Sequence, residues 1–420
     1  MINWQQQMSL MCTPLQRVYL CAVLYFIMFG IGGFLTFPVM DKLGRRKTCL
    51  IFGVGTLLAC TMVMFSTSFL TRLIGFSLMG FMVPQKNSLC YAWLFEFMVQ
   101  RYKVTANTCC NMGDFATVLI VGCVFLWVTP NWFPLFLGFY IAGLVGLLGT
   151  LIFCPESPKW LLLQGRQKEA IHALNRIARF NFSRHTIPHD VEFIEAVMAQ
   201  NLQNTDLYNL DQTINDAISQ MSARAVQLFQ NRDKESTTNK SQRRPSLARE
   251  FMLLSVIMSC IILQYYSLYF LITIIGGNIF INCIVMGVGE ILAGLISGQL
   301  MQRFKDTHVF LWANLFVGIF NTIFFFLPSG GPLLYACLLL TILGCATQFN
   351  CIFVLVELRV PPENAGSALV IVTTVGQLTA AVAPMMSHSG FPTSMLCILG
   401  IVVLNICLMC FLSEPGVYLP

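Results

Sequence analysis

Phe37-Pro-Val-Met-Asp41-Lys-Leu-Gly44-Arg45-Arg46-Lys47 separates two apolar runs, 18–40 and 48–68. Each run is long enough to cross a bilayer, because about 20 apolar residues at about 1.5 Å rise span about 30 Å of hydrocarbon. A connector this short turns the two helices into an antiparallel hairpin. Four cations at the hairpin tip (Lys42, Arg45, Arg46 and Lys47) place that tip on the cytoplasm-like side.

Working outward, the same alternation repeats through the chain. Eleven apolar spans are expected at about 17–40, 48–69, 72–96, 104–128, 132–154, 251–273, 277–301, 308–328, 332–356, 365–387 and 391–412. Turn chemistry divides them, as at Thr129-Pro130-Asn131, Gly276-Gly277 and Pro361-Pro362. If the gaps are assigned alternately to two sides, 22 of the 25 Lys and Arg residues fall on the side of the first tip. Arg17, Arg72 and Lys86 are the remainder. A wrong span count would scramble that sorting. An odd count predicts the N-terminus outside and the C-terminus inside. The segment 1–16 carries neither a cleavable signal pattern nor an Arg-rich presequence, so targeting is expected to be internal, and the host membrane (plasma membrane or an organellar one such as the mitochondrial inner membrane) is left open.

Composition excludes a soluble fold. The chain is 56% hydrophobic and 10% charged over 420 residues, against about 25% charged in soluble domains. The cations lie in loops between apolar runs, which argues against a nucleic-acid partner. The 17 cysteines lie mostly inside apolar spans, where they act as small hydrophobes, and no zinc-type spacing is visible. Neither a nucleophile–base pair nor a phosphate-cradling loop appears, so the chain reads as no enzyme, with no cofactor or metal.

The organisation is expected to be an all-α polytopic membrane protein. Residues 1–154 form an N-terminal bundle of five spans, 155–250 a long loop on the basic side, and 251–420 a C-terminal bundle of six. In the loop, Pro155-Glu156-Ser157-Pro158-Lys159-Trp160 opens a helix with proline in its first turn. Helices are also expected at 190–203 and 206–231, capped by Asp190 and Asp206. A charged linker follows, and its Arg243-Arg244-Pro245-Ser246 is a candidate phosphorylation site.

These motifs resemble the major facilitator superfamily. Asp41, Gly44, Arg45 and Arg46 resemble its signature loop after the second helix. Pro155, Glu156, Ser157 and Pro158, with Gly165, Arg166 and Glu169, resemble the motif after the sixth helix in the organic cation/anion transporter branch of solute carriers. Arg72 with Gly80 resembles the fourth helix, Tyr265-Tyr266 and Glu290 the seventh and eighth, and Asn350 with Glu357 the tenth. The resemblance implies a two-bundle, major-facilitator-like fold, secondary transport of a small organic ion or metabolite by alternating access, and gate contacts by the signature loop. It also shows departures. The family's first helix and large external loop are absent, Phe37 stands where a glycine is usual, and Gln302 replaces the acid of the second signature. Thr374 or Gln377, depending on alignment, occupies a place that is charged in the branch. These departures leave open an alternative, a transport-inactive accessory subunit that partners other membrane subunits in a larger complex.

Charged residues within spans cost several kcal/mol and are candidate functional groups. Lys86 and Asp114 are expected at similar depth on neighbouring helices, as a substrate or proton site or as a structural pair. Glu290 lies mid-span, either lining a cavity or making an interhelical hydrogen bond. Arg72 lies near the outer end, where it can snorkel. Tyr265, Tyr266, Thr374 and Gln377 complete the candidate cavity lining.

Overall fold

The computed structural model describes residues 15–84, 89–98, 100–182, 187–188, 247–273, 275, 277–327, 331–360, 365–388 and 390–411. The first half contains α1 (Leu15–Leu43), α2 (Arg45–Phe65), α3 (Phe69–Met82), α4 (Cys90–Phe97), α5 (Gln100–Cys123, continued by a π-helical turn Val124–Val128) and α6 (Trp132–Phe153). Two short helices follow, α7 (Pro158–Leu163) and α8 (Gln167–Phe180). The second half contains α9 (Leu247–Leu271), α10 (Ile279–Arg303), α11 (Asp306–Phe326), α12 (Pro332–Arg359), α13 (Ala365–Thr379, followed by a 3₁₀ turn), α14 (Ala383–His388) and α15 (Phe391–Phe411). No strand occurs among the described residues.

Ten of these segments are long and apolar enough to cross a membrane, and Phe69–Met82 is a shorter apolar helix. The ten match expected spans. Of the remaining one, 72–96, the structure describes α3 to Met82, helical backbone at Val83, and α4 from Cys90, while residues 85–88 lie outside the described residues. The candidate Lys86, the loop helices expected at 190–203 and 206–231, and the Arg243–Ser246 site lie outside the described residues.

The chain divides into two compact units, 1–154 with 246–420, and 155–245. In the smaller, Ser157 caps α7 by accepting from the Trp160 N–H at 3.2 Å, and Pro158 occupies the first turn. Gly165 turns the chain at φ +70°. Trp160, Leu161, Leu162, Ala170 and Ala173 then form the core between α7 and α8. Arg166 lies over the Trp160 ring and pairs with Glu169 at 2.7 Å on the surface. The residues Pro155 to Arg166 thus build a helical hairpin.

In the larger unit, the end where α1 meets α2 carries the Lys and Arg clusters and is called here the basic end; the other is the far end. The tip itself needs glycine. Gly44 has φ +92°, and its carbonyl accepts the Thr48 hydroxyl at 2.7 Å. The halves meet chiefly through α5 on α10 and α1 on α13. Along α5 and α10 the backbones approach closely: a Cβ added at Gly287 would lie 2.6 Å from the Leu119 backbone nitrogen. In a bilayer, where apolar area gives helices little reason to associate, such small-residue crossings supply the packing.

Candidate functional site

At the basic end, the tip residues are held by helix ends of their own half. Arg45 is 6% exposed. Its guanidinium donates to both Glu96 carboxylate oxygens at 3.0–3.2 Å and to Asp41 Oδ1 at 3.2 Å. Glu96 ends α4, so one arginine ties α1, α2 and α4. Arg46 Nη2 donates to the Leu151 carbonyl at 2.6 Å, placing a cation against the C-terminal carbonyls of α6. The second half has a parallel device at the same end, where Arg359 ends α12 and lies 3.7 Å from Glu250 in the first turn of α9, both buried. Glu96 and Glu250 were not singled out from the sequence. Each stands at the edge of an apolar run, where a carboxylate looks like a boundary residue, and its arginine is 51 or 109 positions away.

Deeper from the basic end, the halves are joined by hydrogen bonds. Tyr91 on α4 donates to Asn111 Oδ1 on α5 at 2.5 Å. The Asn111 amide donates to Asn350 Oδ1 on α12. Asn350 in turn donates to Ser297 Oγ on α10 at 2.8 Å, and Asn107 donates to the Asn350 carbonyl at 3.2 Å. All five residues are buried. Asn350 lies nine residues before the end of α12, about 14 Å from the basic end. Only Asn350 had been noted from the sequence, as a family position. Asparagines within apolar helices carry the signal, since an amide in hydrocarbon requires a partner, but pairing across more than 200 residues is a property of packing.

Above this network is a central cavity of about 20 Å³ lined by Tyr91, Asp114, Met258, Phe349, Phe353, Thr373 and Gln377. It has room for about one water. Both halves contribute to its walls. Tyr91 and Phe353 face each other across the halves at 5.1 Å, and Phe349 packs edge-on to Phe353 at 5.1 Å. Asp114 is the one formal charge in the lining.

The sequence candidates therefore separate. Asp114 and Gln377 share the cavity. Thr374 does not line it; its hydroxyl bonds to the Val370 carbonyl at 2.6 Å and it lies against Gly33 of α1. Thr374 and Gln377, three residues apart, lie on similar faces of the helix, so it is the α1 crossing at Gly33, and not the helical repeat, that covers Thr374. Glu290 is fully buried, and its Oε1 accepts from Tyr265 at 2.6 Å and from Tyr269. This is an interhelical tie between α9 and α10, with no place in the cavity wall. Tyr265 stacks on Phe349, and Tyr266 packs on Phe26 of α1 at 4.7 Å, so both tyrosines stand behind the lining. Arg72 is 4% exposed, donates to the Ser66 carbonyl at 3.1 Å and lies over Trp132 at 5.3 Å. No group of three or more His, Cys, Asp or Glu able to hold a metal occurs among the described residues.

Two halves built of apolar helices meet at a small cavity lined in part by aromatic rings. The family model for the Major Facilitator Superfamily matches residues 11–384, and the chain belongs to that superfamily. Its curated relatives include mouse solute carrier family 22 member 6, 22% identical over 94% of this chain and 68% of the relative, and bovine solute carrier family 22 member 1, 24% identical over 78% and 52%. The chain thus spans about half to two thirds of the length of these relatives. Among solved structures, the proton:xylose symporter XylE bound to 6-bromo-6-deoxy-D-glucose superposes with a TM-score of 0.67, covering 95% of this chain and 86% of that one at 16% identity. That likeness shows the fold.

Proposed function

We propose that this chain is a secondary transporter that carries a small organic solute through the cavity between its halves by alternating access. The observation that carries the reading is the cavity itself. It sits at the junction of α4, α5, α9, α12 and α13, is walled by both halves, and combines aromatic rings with one carboxylate and one amide. Relatives named as solute carriers and organic cation/carnitine transporters support the class of cargo. The lining's single charge, on Asp114, favours a solute bearing a positive charge, which the rings of Tyr91, Phe349 and Phe353 would receive on their faces.

The bundles 1–154 and 251–420 act as the two moving bodies, and the loop 155–250 joins them at the basic end. That end faces the cytoplasm, or the matrix in an organelle, by the distribution of Lys and Arg. In this cycle the cavity as it stands, with room for about one water, corresponds to a closed state. The Arg45–Glu96 and Arg359–Glu250 pairs brace the basic end of each half, and the Asn111–Asn350–Ser297 chain joins the two deeper in, about 14 Å from that end.

Thermal melting of the purified full chain in detergent, screened against organic cations, anions and zwitterions, tests this reading. A cation that raises Tm in the wild type and fails to do so in Asp114→Asn is the expected result. Stabilisation only by anions, unaffected by Asp114→Asn, would overturn the assignment of the cavity.

A further inference from the structure

Just inside the Arg45–Glu96 pair, the same two helices meet a second time. Cys49 lies four residues beyond Arg45 on α2, and Cys90 opens α4 six residues before Glu96. Each thiol therefore stands about 6–9 Å deeper than the ion pair. The two sulfurs are 3.8 Å apart, across 41 positions of sequence, and neither is in a disulfide. Cys49 is 5% exposed, whereas Cys90 is only partly buried. Met40 of α1, Trp93 of α4 and Val370 of α13 pack around them in one cluster, and Cys154 at the end of α6 lies against it.

A single buried thiol is explained by packing, since it behaves as a small hydrophobe. Here two thiols from different helices touch, and the ion pair one to two turns away fixes how those helices approach. The pair is not the core of a metal site, because no group of three or more His, Cys, Asp or Glu able to hold one occurs among the described residues. A disulfide needs its sulfurs about 2.05 Å apart, or about 1.8 Å closer than they stand. Rotation of a thiol about its Cα–Cβ bond moves the sulfur on that scale. Closing the bond thus calls for side-chain rotation with little movement of the helices.

We propose that Cys49 and Cys90 are a peroxide-responsive modification site, whose disulfide fastens the start of α4 to α2. Cys90, the more exposed of the two, meets the oxidant first. Its thiolate attacks one oxygen of hydrogen peroxide, the O–O bond breaks, and hydroxide leaves, giving a sulfenic acid. The Cys49 sulfur then displaces the sulfenic oxygen as water, and the S–S bond forms. In sum two thiols lose two electrons and two protons, and one peroxide becomes two waters. On the orientation proposed above, the pair sits on the cytoplasmic or matrix side; in a compartment kept reduced by glutathione and thioredoxin, such a bond forms transiently, as a redox signal. The helix it fastens is only eight residues long. Tyr91, the residue after Cys90, lines the central cavity and donates to Asn111, so oxidation steadies one wall of that cavity. The bond forms whether or not the chain carries a solute.

The test is hydrogen peroxide treatment of the reduced full chain in nanodiscs, followed by alkylation of the remaining thiols, non-reducing digestion and mass spectrometry. The expected product is a Cys49–Cys90 link, two hydrogens lighter than the free peptides together and released by dithiothreitol. In Cys49→Ser, Cys90 stops at the sulfenic acid and is captured by dimedone, which also shows that the variant keeps the site. Cys154→Ser retains the link. Hydrogen exchange over 90–97 slows on oxidation in the wild type and in Cys154→Ser, and does not in Cys49→Ser. Linkage of Cys90 to Cys154, sulfinic or sulfonic acid at Cys90 without a link, oxidation absent or confined to other cysteines, or a link that leaves exchange over 90–97 unchanged would each overturn the proposal.

Discussion

Arg45 is the residue on which the basic end of the first half depends. It is buried with two carboxylates around it, one of them, Glu96, itself with a side chain only 9% exposed. Removing one member of a buried pair leaves the other uncompensated, at a cost of about 3–5 kcal/mol. Glu96→Ala is therefore expected to lower Tm markedly, and the double change Arg45→Met with Glu96→Leu to lower it less than Glu96→Ala alone. A double change that is the more damaging would show that the pair does not act as a unit. Glu290 makes a parallel case: Glu290→Leu leaves the Tyr265 and Tyr269 hydroxyls only each other, whereas Glu290→Gln keeps an acceptor for them. Melting should separate the two by about 1–3 kcal/mol. The hairpin tip was legible from residues 37–47 because a short polar break between two apolar runs is a local feature of the sequence. The identity of Arg45's partner was not, because Glu96 becomes its neighbour only when α4 returns to the basic end.

At the scale of elements, hydropathy set out the helices well, since a span is a local property of about 20 residues. Helix pairing was less legible. The α5–α10 crossing rests on glycines such as Gly287, and a glycine in an apolar span signals close approach without naming what approaches. Gly287→Leu should wedge these helices apart; reduced protein yield and a lower Tm, with Gly287→Ala between it and wild type, are the expected outcomes. The asparagine chain makes a sharper prediction. Asn350→Leu leaves Asn111 and Ser297 without their partner, and interhelical hydrogen bonds in membranes are worth about 0.6–2 kcal/mol each. Hydrogen exchange should rise within 100–111 and 297–303 while far-end segments stay unchanged. A uniform rise along all helices would show that Asn350 supports the fold as a whole and does not act chiefly where the halves meet.

For the whole molecule, the closed cavity and the bracing of its basic end belong to one account. Each half carries its own buried ion pair, so each is braced internally, while the halves meet through hydrogen bonds and small-residue crossings that are individually weak. On the reading proposed above, such a division lets the halves separate as rigid bodies without unfolding. The central claim is carriage of a solute, and uptake by liposomes containing the purified full chain tests it most directly. Labelled organic cations, anions and zwitterions would be supplied outside and the trapped label followed against concentration and time. Saturable uptake of at least one cation, reduced tenfold or more by Asp114→Asn with the variant still folded, is the predicted result. Uptake no greater than in protein-free liposomes for every solute, from protein shown to be folded and inserted, would contradict the account.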